Sequence, residues 1–232
     1  MRVILFGATG MVGQGVLREC LLDPDVESVL SIVRTASGQG HAKLCELVHQ
    51  NFFDYSDIQA RMTGYDACFF CLGVSSAGMK EDDYRRVTYD LTLTAARALV
   101  ARNPNLTFIY VSGAGTDSSE QGRMMWARVK GRTENALLKL PFKATYMFRP
   151  GFIQPMHGIK SKTRLYRVLY ALTEPLYPLW KTIVPNLVTT TEQVGRAMIQ
   201  VARQGAPKQL LENRDIRILG SHADRPQSRE SV

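Results

Sequence analysis

Residues 1–14 read MRVILFGATGMVGQ, and this stretch decides the fold. Arg2 to Phe6 is a short run rich in β-branched and aromatic side chains, the pattern of a buried strand. Gly7-Ala8-Thr9-Gly10-Met11-Val12-Gly13 follows without a spacer, and Gln14 to Leu22 reads as a helix. Strand, glycine turn and helix form the opening unit of a dinucleotide-binding fold. Gly7 allows the sharp turn, Gly10 lets backbone approach a pyrophosphate, and Gly13 lets the helix pack against the strand. The pyrophosphate would lie on free N–H groups at the helix N-terminus, where the helix dipole favours negative charge. A ligand-free turn is the plainer alternative.

Working outward, strands and helices alternate. Glu27 to Val33 (ESVLSIV) is the second strand, ended by Arg34. An acidic residue about twenty positions past the glycines accepts from the ribose 2′-OH of NAD, whereas an arginine suits the 2′-phosphate of NADP. Arg34, with no acid beside it, favours NADP over NAD. Leu44 to Phe53 reads as a third strand. Phe53 and Asp54 then become candidates for the adenine, Asp54 being equally suited to a turn. Asp66 to Leu72 (DACFFCL) is a strand apolar on both faces, which sets Cys71, Leu72 and Gly73 beside the cofactor.

Glu81 to Arg102 carries Val87, Leu91, Ala95 and Leu99 at helical spacing, and Asn103-Pro104 closes it. Leu106 to Val111 is strand five, delivering Ser112. Trp126 to Leu140 is helical, and Phe142 to Phe148 is strand six, with Pro150 and Phe152 just beyond as further cofactor contacts. The pattern is α/β, a doubly wound parallel sheet of the Rossmann kind, in one domain over 1–220. Residues 152–188 are aromatic, basic and broken by Pro155, Pro175, Pro178 and Pro185. They read as a small substrate-covering segment, with Tyr166, Leu169, Tyr170 and Leu172 facing a pocket or a partner. Thr189 to Arg203 is a helix, and 221–232 is a polar, disordered tail.

Composition bounds the rest. No apolar run approaches the ~20 residues of a membrane span, and no signal peptide opens the chain. Cys20, Cys45, Cys68 and Cys71 are not spaced as a disulfide framework. Cys68-Phe69-Phe70-Cys71 lies inside a strand and reads as core packing. A reducing cytoplasm is the expected location. His41, His49, His157 and His222 have no metal-ligand spacing, so no metal is expected. Val111-Ser112-Gly113 lacks the glycine two places before the serine that a hydrolase nucleophile elbow needs. The net charge is +8, and residues 121–182 carry 12 Lys and Arg against 2 Asp and Glu. Such an excess suits a phosphate-bearing cofactor, an anionic substrate, a membrane surface or simple solvation. Peripheral membrane contact is not favoured, because the basic segment is short and proline-broken. Nucleic acid is disfavoured, since no recognition motif or stacking platform accompanies the charge.

In a short-chain dehydrogenase, a lysine lowers the pKa of a tyrosine four residues earlier, and a serine on the preceding strand end orients the substrate oxygen. The chain resembles an atypical short-chain dehydrogenase/reductase of the extended, epimerase-like kind. The resemblance is closest to the Tat-interacting-protein oxidoreductases, and it implies NADPH binding. It is carried by GATGMVGQG at 7–15, Arg34, FFCLG at 69–73, YVSGAGTDSS at 110–119, VKGRTENALL at 129–138, FRPG at 148–151 and QLLENRDIRILG at 209–220. It places the catalytic serine at Ser112 and the lysine, which also holds the nicotinamide ribose, at Lys130. Where the tyrosine belongs stands Trp126, whose indole donates a hydrogen bond but does not titrate in this range. Other proton donors in the sequence are Ser112, Lys130 through a water, Tyr84 and Tyr146. The function expected is an NADP-dependent oxidoreductase or epimerase-like enzyme acting on a carbonyl or alcohol of a small molecule. The alternative is a catalytically weak NADP(H)-binding regulator that docks a protein partner or a second copy of itself through 152–188.

Overall fold

Seven parallel strands form one twisted sheet in the order β3-β2-β1-β4-β5-β6-β9. The strands are β1 (Arg2–Phe6), β2 (Ser28–Val33), β3 (Leu44–Val48), β4 (Ala67–Phe70), β5 (Thr107–Val111), β6 (Ala144–Arg149) and β9 (Leu210–Glu212). The structure is a computed structural model that describes residues 1–159 and 188–222. Phe152–Gln154 (β7) and Val188–Thr190 (β8) pair separately in a two-stranded parallel sheet. The helices are α1 (Met11–Leu22), α2 (Glu81–Arg85), α3 (Leu91–Val100), α4 (Met125–Leu138), α5 (Thr191–Gln204) and α6 (Asn213–His222).

Alternation along β1 builds two cores. Val3 and Leu5 face α1 and α5, among Val16, Cys20, Val194 and Met198. Ile4 and Phe6 face the other way, among Leu93, Leu99, Phe108 and Leu137. Both faces of the sheet are therefore dry, as an all-parallel sheet requires. The strand order reverses between β1 and β4, which opens a crevice at their carboxyl ends.

The structure moves several boundaries. The third strand stops at Val48 rather than Phe53, because the chain turns back on itself there. His49 Nε2 lies 2.7 Å from the carbonyl oxygens of both Asn51 and Asp54, pinning that turn. The helix over 81–102 is three pieces, with a π-helical stretch at Arg86–Asp90 between α2 and α3. The helix predicted from Thr189 starts at Thr191; the Thr190 hydroxyl caps it by accepting from Gln193 N–H at 3.0 Å, while Gln193 Oε1 accepts from Thr190 N–H at 3.2 Å. Ser221 and His222 end α6 rather than opening a tail. Tyr166, Leu169, Tyr170 and Leu172, most of the 152–188 segment and residues 223–232 lie outside the described residues.

Candidate active site

The glycine turn is tighter than sequence spacing alone implies. Gly7 has φ +82°, and a Cβ there would sit 2.7 Å from the Cys71 carbonyl carbon at the end of β4. A Cβ at Gly13 would sit 2.0 Å from the Gly7 oxygen, so α1 lies directly on the turn. Gly10 is the N-cap of α1 and provides no side-chain cap. Gly10 N–H donates to Gly7 O at 2.9 Å, and the Gln14 side chain braces the turn by donating to Thr9 O at 3.1 Å. Met11, Val12 and Gly13, the first three residues of the helix, therefore keep backbone N–H groups that no N-cap side chain takes up. This bare, positively polarised cradle fits a pyrophosphate.

Around the crevice the sequence-chosen residues fall into two groups. Cys71, Leu72 and Gly73 follow β4 beside the turn. Pro150 and Phe152 follow β6, and Pro150 O accepts from Ala114 N–H at 2.8 Å. Arg34 is exposed at the end of β2, where Gln50 Nε2 donates to its carbonyl at 2.6 Å. Phe53 and Asp54 stand apart from a strand end, on the turn after β3. Asp54 Oδ1 accepts from Ser56 N–H at 2.9 Å, which holds its carboxyl below the usual range, so the carboxylate acts within that turn. Phe53 is 40% exposed, with the Arg86 guanidinium 5.2 Å from its ring centre.

Ser112, Lys130 and Trp126 come together. Trp126, Lys130 and Glu134 sit four residues apart on α4 and so share one face. The Trp126 ring lies against the loop after β5, where a Cβ at Gly115 would be 3.3 Å from Cη2. Lys130 donates to the Ser112 carbonyl, and a Cβ at Gly113 would be 3.9 Å from its Nζ. Lys130 is half-buried, and that burial pushes its ammonium down to about 8 against the opposing pull of Glu134. The Ser112 hydroxyl is buried; its Oγ lies 2.5 Å from Glu134 Oε1 and 3.1 Å from Phe148 O. Both neighbours are acceptors and the hydroxyl has one proton, so the nearer, charged carboxylate takes it.

Glu134 and Arg149 are the residues that sequence reasoning missed. Glu134 is fully buried and binds Arg149 through two bonds, Nε to Oε1 at 3.0 Å and Nη2 to Oε2. That bond raises the Arg149 guanidinium above its ordinary value. Arg149 also reaches Glu212 at 3.3 Å and Ser118 Oγ at 2.5 Å, joining β6, β9, α4 and the loop after β5. The available signal was Glu134 lying one further turn along the Trp126–Lys130 face.

Other candidates resolve structurally. Tyr84 belongs to α2 and is 2% exposed. Tyr146 lies in β6, and its hydroxyl accepts from Ala206 N–H at 3.1 Å. Cys68 and Cys71 are thiols that burial pushes well up, in keeping with core packing. Among the described residues no group of His, Cys, Asp and Glu could hold a metal, and no helix is long and apolar enough to cross a membrane.

A parallel sheet with a switch-point crevice and a glycine cradle at the carboxyl end of its first strand defines a Rossmann-type dinucleotide-binding protein. Residues 7–139 match the NAD(P)H-binding family, and the chain belongs to that family. "Protein FMP52, mitochondrial" of Meyerozyma guilliermondii is 26% identical over 196 residues, covering 78% of this chain and 80% of that one. "Protein fmp52-1, mitochondrial" of Aspergillus terreus is 31% identical over 168 residues, covering 70% and 69%. UDP-glucuronic acid 4-epimerase from Bacillus cereus, in complex with NAD, superposes with a TM-score of 0.63 at 11% identity, over 91% of this chain and 76% of that one; it shares the fold. The curated relatives carry mitochondrial names, which overturns the expectation of a cytoplasmic protein.

Proposed function

We propose that this protein is an NADPH-dependent oxidoreductase or epimerase-like enzyme of the short-chain dehydrogenase type, acting on a carbonyl or alcohol. The observation that carries the reading is the pairing of Lys130 with Ser112 at the carboxyl end of β5, the same edge of the parallel sheet as the glycine cradle, with β4 between them. The resemblance to Tat-interacting-protein oxidoreductases supports it, as does the fold it shares with an NAD-bound epimerase. A bound nicotinamide would supply the hydride. The backbone N–H groups of Met11, Val12 and Gly13 would hold the pyrophosphate, and Lys130 the nicotinamide ribose. Arg34, exposed at the end of β2, would receive a 2′-phosphate. Ser112, its proton engaged by Glu134, would orient an alcohol substrate by accepting from its hydroxyl. The mitochondrial names of the relatives support a mitochondrial setting.

One observation favours a second reading, a binding protein that senses NADP(H) without efficient turnover. The resemblance puts Trp126 at the tyrosine position, and its ring lies against Gly115.

The test is titration with NADPH and NADH, followed by nicotinamide fluorescence. NADPH should bind more tightly than NADH. Arg34→Ala should weaken NADPH by about tenfold, the loss of roughly one charged hydrogen bond, and leave NADH nearly unchanged. Equal loss for both nucleotides would remove Arg34 from the 2′-phosphate; binding of neither would end both readings.

A further inference from the structure

The missing tyrosine leaves a proton to be found. Reducing a carbonyl requires one at the oxygen, and the described residues near the site narrow its source. The Trp126 indole does not titrate in this range. Ser112 gives its only proton to a buried carboxylate 2.5 Å away. Tyr84 and Tyr110 are each 2% exposed, and burial pushes the Tyr110 phenol well above its ordinary value. The Tyr146 hydroxyl lies against Gly205 and Ala206 just past the end of α5, where it accepts from Ala206 N–H at 3.1 Å.

Lys130 differs from all of these. It is half-buried under the loop after β5, and among the described residues its one recorded acceptor is the Ser112 carbonyl. An ammonium carries three N–H bonds, so two remain for a ribose hydroxyl and a substrate oxygen. We propose that the Lys130 ammonium is the proton donor to the substrate oxygen, taking over the step that a tyrosine hydroxyl performs in a standard short-chain dehydrogenase. This rests on the oxidoreductase reading above.

In the reducing direction a bound NADPH would supply a hydride, two electrons with it, to the carbonyl carbon and leave as NADP⁺. Lys130 gives its proton to the carbonyl oxygen, completing the alcohol, and is left as a neutral amine that water reprotonates. The groups around Lys130 make this exchange accessible near neutral pH. β5 brings no charged side chain, β6 brings Arg149, and α4 itself brings Glu134, whose charge Arg149 neutralises through two bonds. On the α2 side, Arg128 is paired with Glu81 at 2.5 Å. Desolvation thus dominates, and the ammonium falls to about 8, close to the value that suits a general acid.

The experiment combines labelling with turnover. Lys130 of the full chain is acetylated with acetic anhydride across a pH series and followed by peptide mass spectrometry, with the exposed Lys139 and Lys143 as references. Lys130 should react with a midpoint near 8, well below the references, and NADPH should block it. Reaction on the reference curve, or no protection by NADPH, overturns the proposal. NADPH consumption is then measured with 4-nitrobenzaldehyde and a panel of ketones. Lys130→Arg keeps the charge but cannot release a proton, so it should still bind NADPH while turnover falls by roughly 10²- to 10⁴-fold. Normal turnover by that variant overturns the donor alone. NADPH binding without consumption by the unaltered protein overturns the oxidoreductase reading and the donor with it.

Discussion

At the scale of single residues, the site sits on two charged side chains under opposite stresses. Lys130 loses solvation on folding, and its folded-state value near 8 lies below the ordinary lysine value of 10.5. Below pH 8 it is protonated in both states, and the folded state bears the full cost of burying the charge. Between about 8 and 10.5 the unfolded chain binds more protons, so stability rises with pH by at most about 1.4 kcal/mol per unit. Lys130→Met keeps the stem and removes the charge, so at pH 7 it should be more stable than the parent by about 1–3 kcal/mol while losing cofactor affinity. Urea midpoints at pH 7 and pH 10 check this: the parent should gain on the variant as pH rises, and parallel curves would show no burial cost. Glu134 is the reverse case, a buried carboxylate fully compensated by Arg149 and Ser112. Glu134→Gln leaves Arg149 with only the half-exposed Glu212, at 3.3 Å, as a charged partner and should cost about 3 kcal/mol, seen as a lower urea midpoint. A loss below about 1 kcal/mol would mean that water reaches Arg149. Ser112, Lys130 and Trp126 were singled out through the resemblance, and their places on one strand end and one helix face let the structure bring them together. Glu134 and Arg149 were not, since their pairing joins α4 to β6 across 15 residues and a lone Glu or Arg in sequence reads as surface.

At the scale of elements, legibility followed periodicity. β1, β4 and β5 were plain because continuous apolar runs have no other comfortable place. β7, β8 and β9 are three residues each, too short to carry a pattern, and were missed. The third strand was overextended because the apolar pair Phe52-Phe53 continues it in composition, while the His49-pinned turn that stops it lies in a side chain's bonding. The glycine turn tests the same logic in reverse. A Cβ at Gly13 meets the Gly7 oxygen at 2.0 Å, backbone that cannot step aside, whereas a Cβ at Gly73 meets nothing within 4 Å. Gly13→Ala should therefore destabilise by about 2–3 kcal/mol and push α1 off the turn, with NADPH affinity falling steeply. Gly73→Ala should leave the denaturation midpoint unchanged. Comparable losses in both would show that chain entropy, not contact between α1 and the turn, sets the need for glycine.

At the scale of the molecule, the question is whether the chain folds as one unit. The sequence places its acidic excess in residues 1–120 and its basic excess in 121–182, which alone invites a reading in two parts. The packing argues the other way. α5, from residues 191–204, lies on α1 so closely that a Cβ at Gly15 would be 2.5 Å from Thr191 Cβ, and one at Gly195 would be 2.8 Å from Glu19 Cγ. Buried Glu19 accepts from Arg196 Nε at 3.0 Å, a bond spanning 177 residues. The helix that carries the cofactor cradle is therefore covered by a helix from the far end of the chain. A ligand held at the cradle should accordingly stabilise everything at once. At a hundred times its dissociation constant NADPH contributes about 2.7 kcal/mol, which for a chain of this size moves the midpoint by roughly 5–10 °C. Calorimetry should show a single transition that shifts as a whole with NADPH and whose calorimetric and van't Hoff enthalpies agree. Two transitions, only one of them moved by the nucleotide, would mean that the α1–α5 contact does not couple the cradle to the rest of the fold.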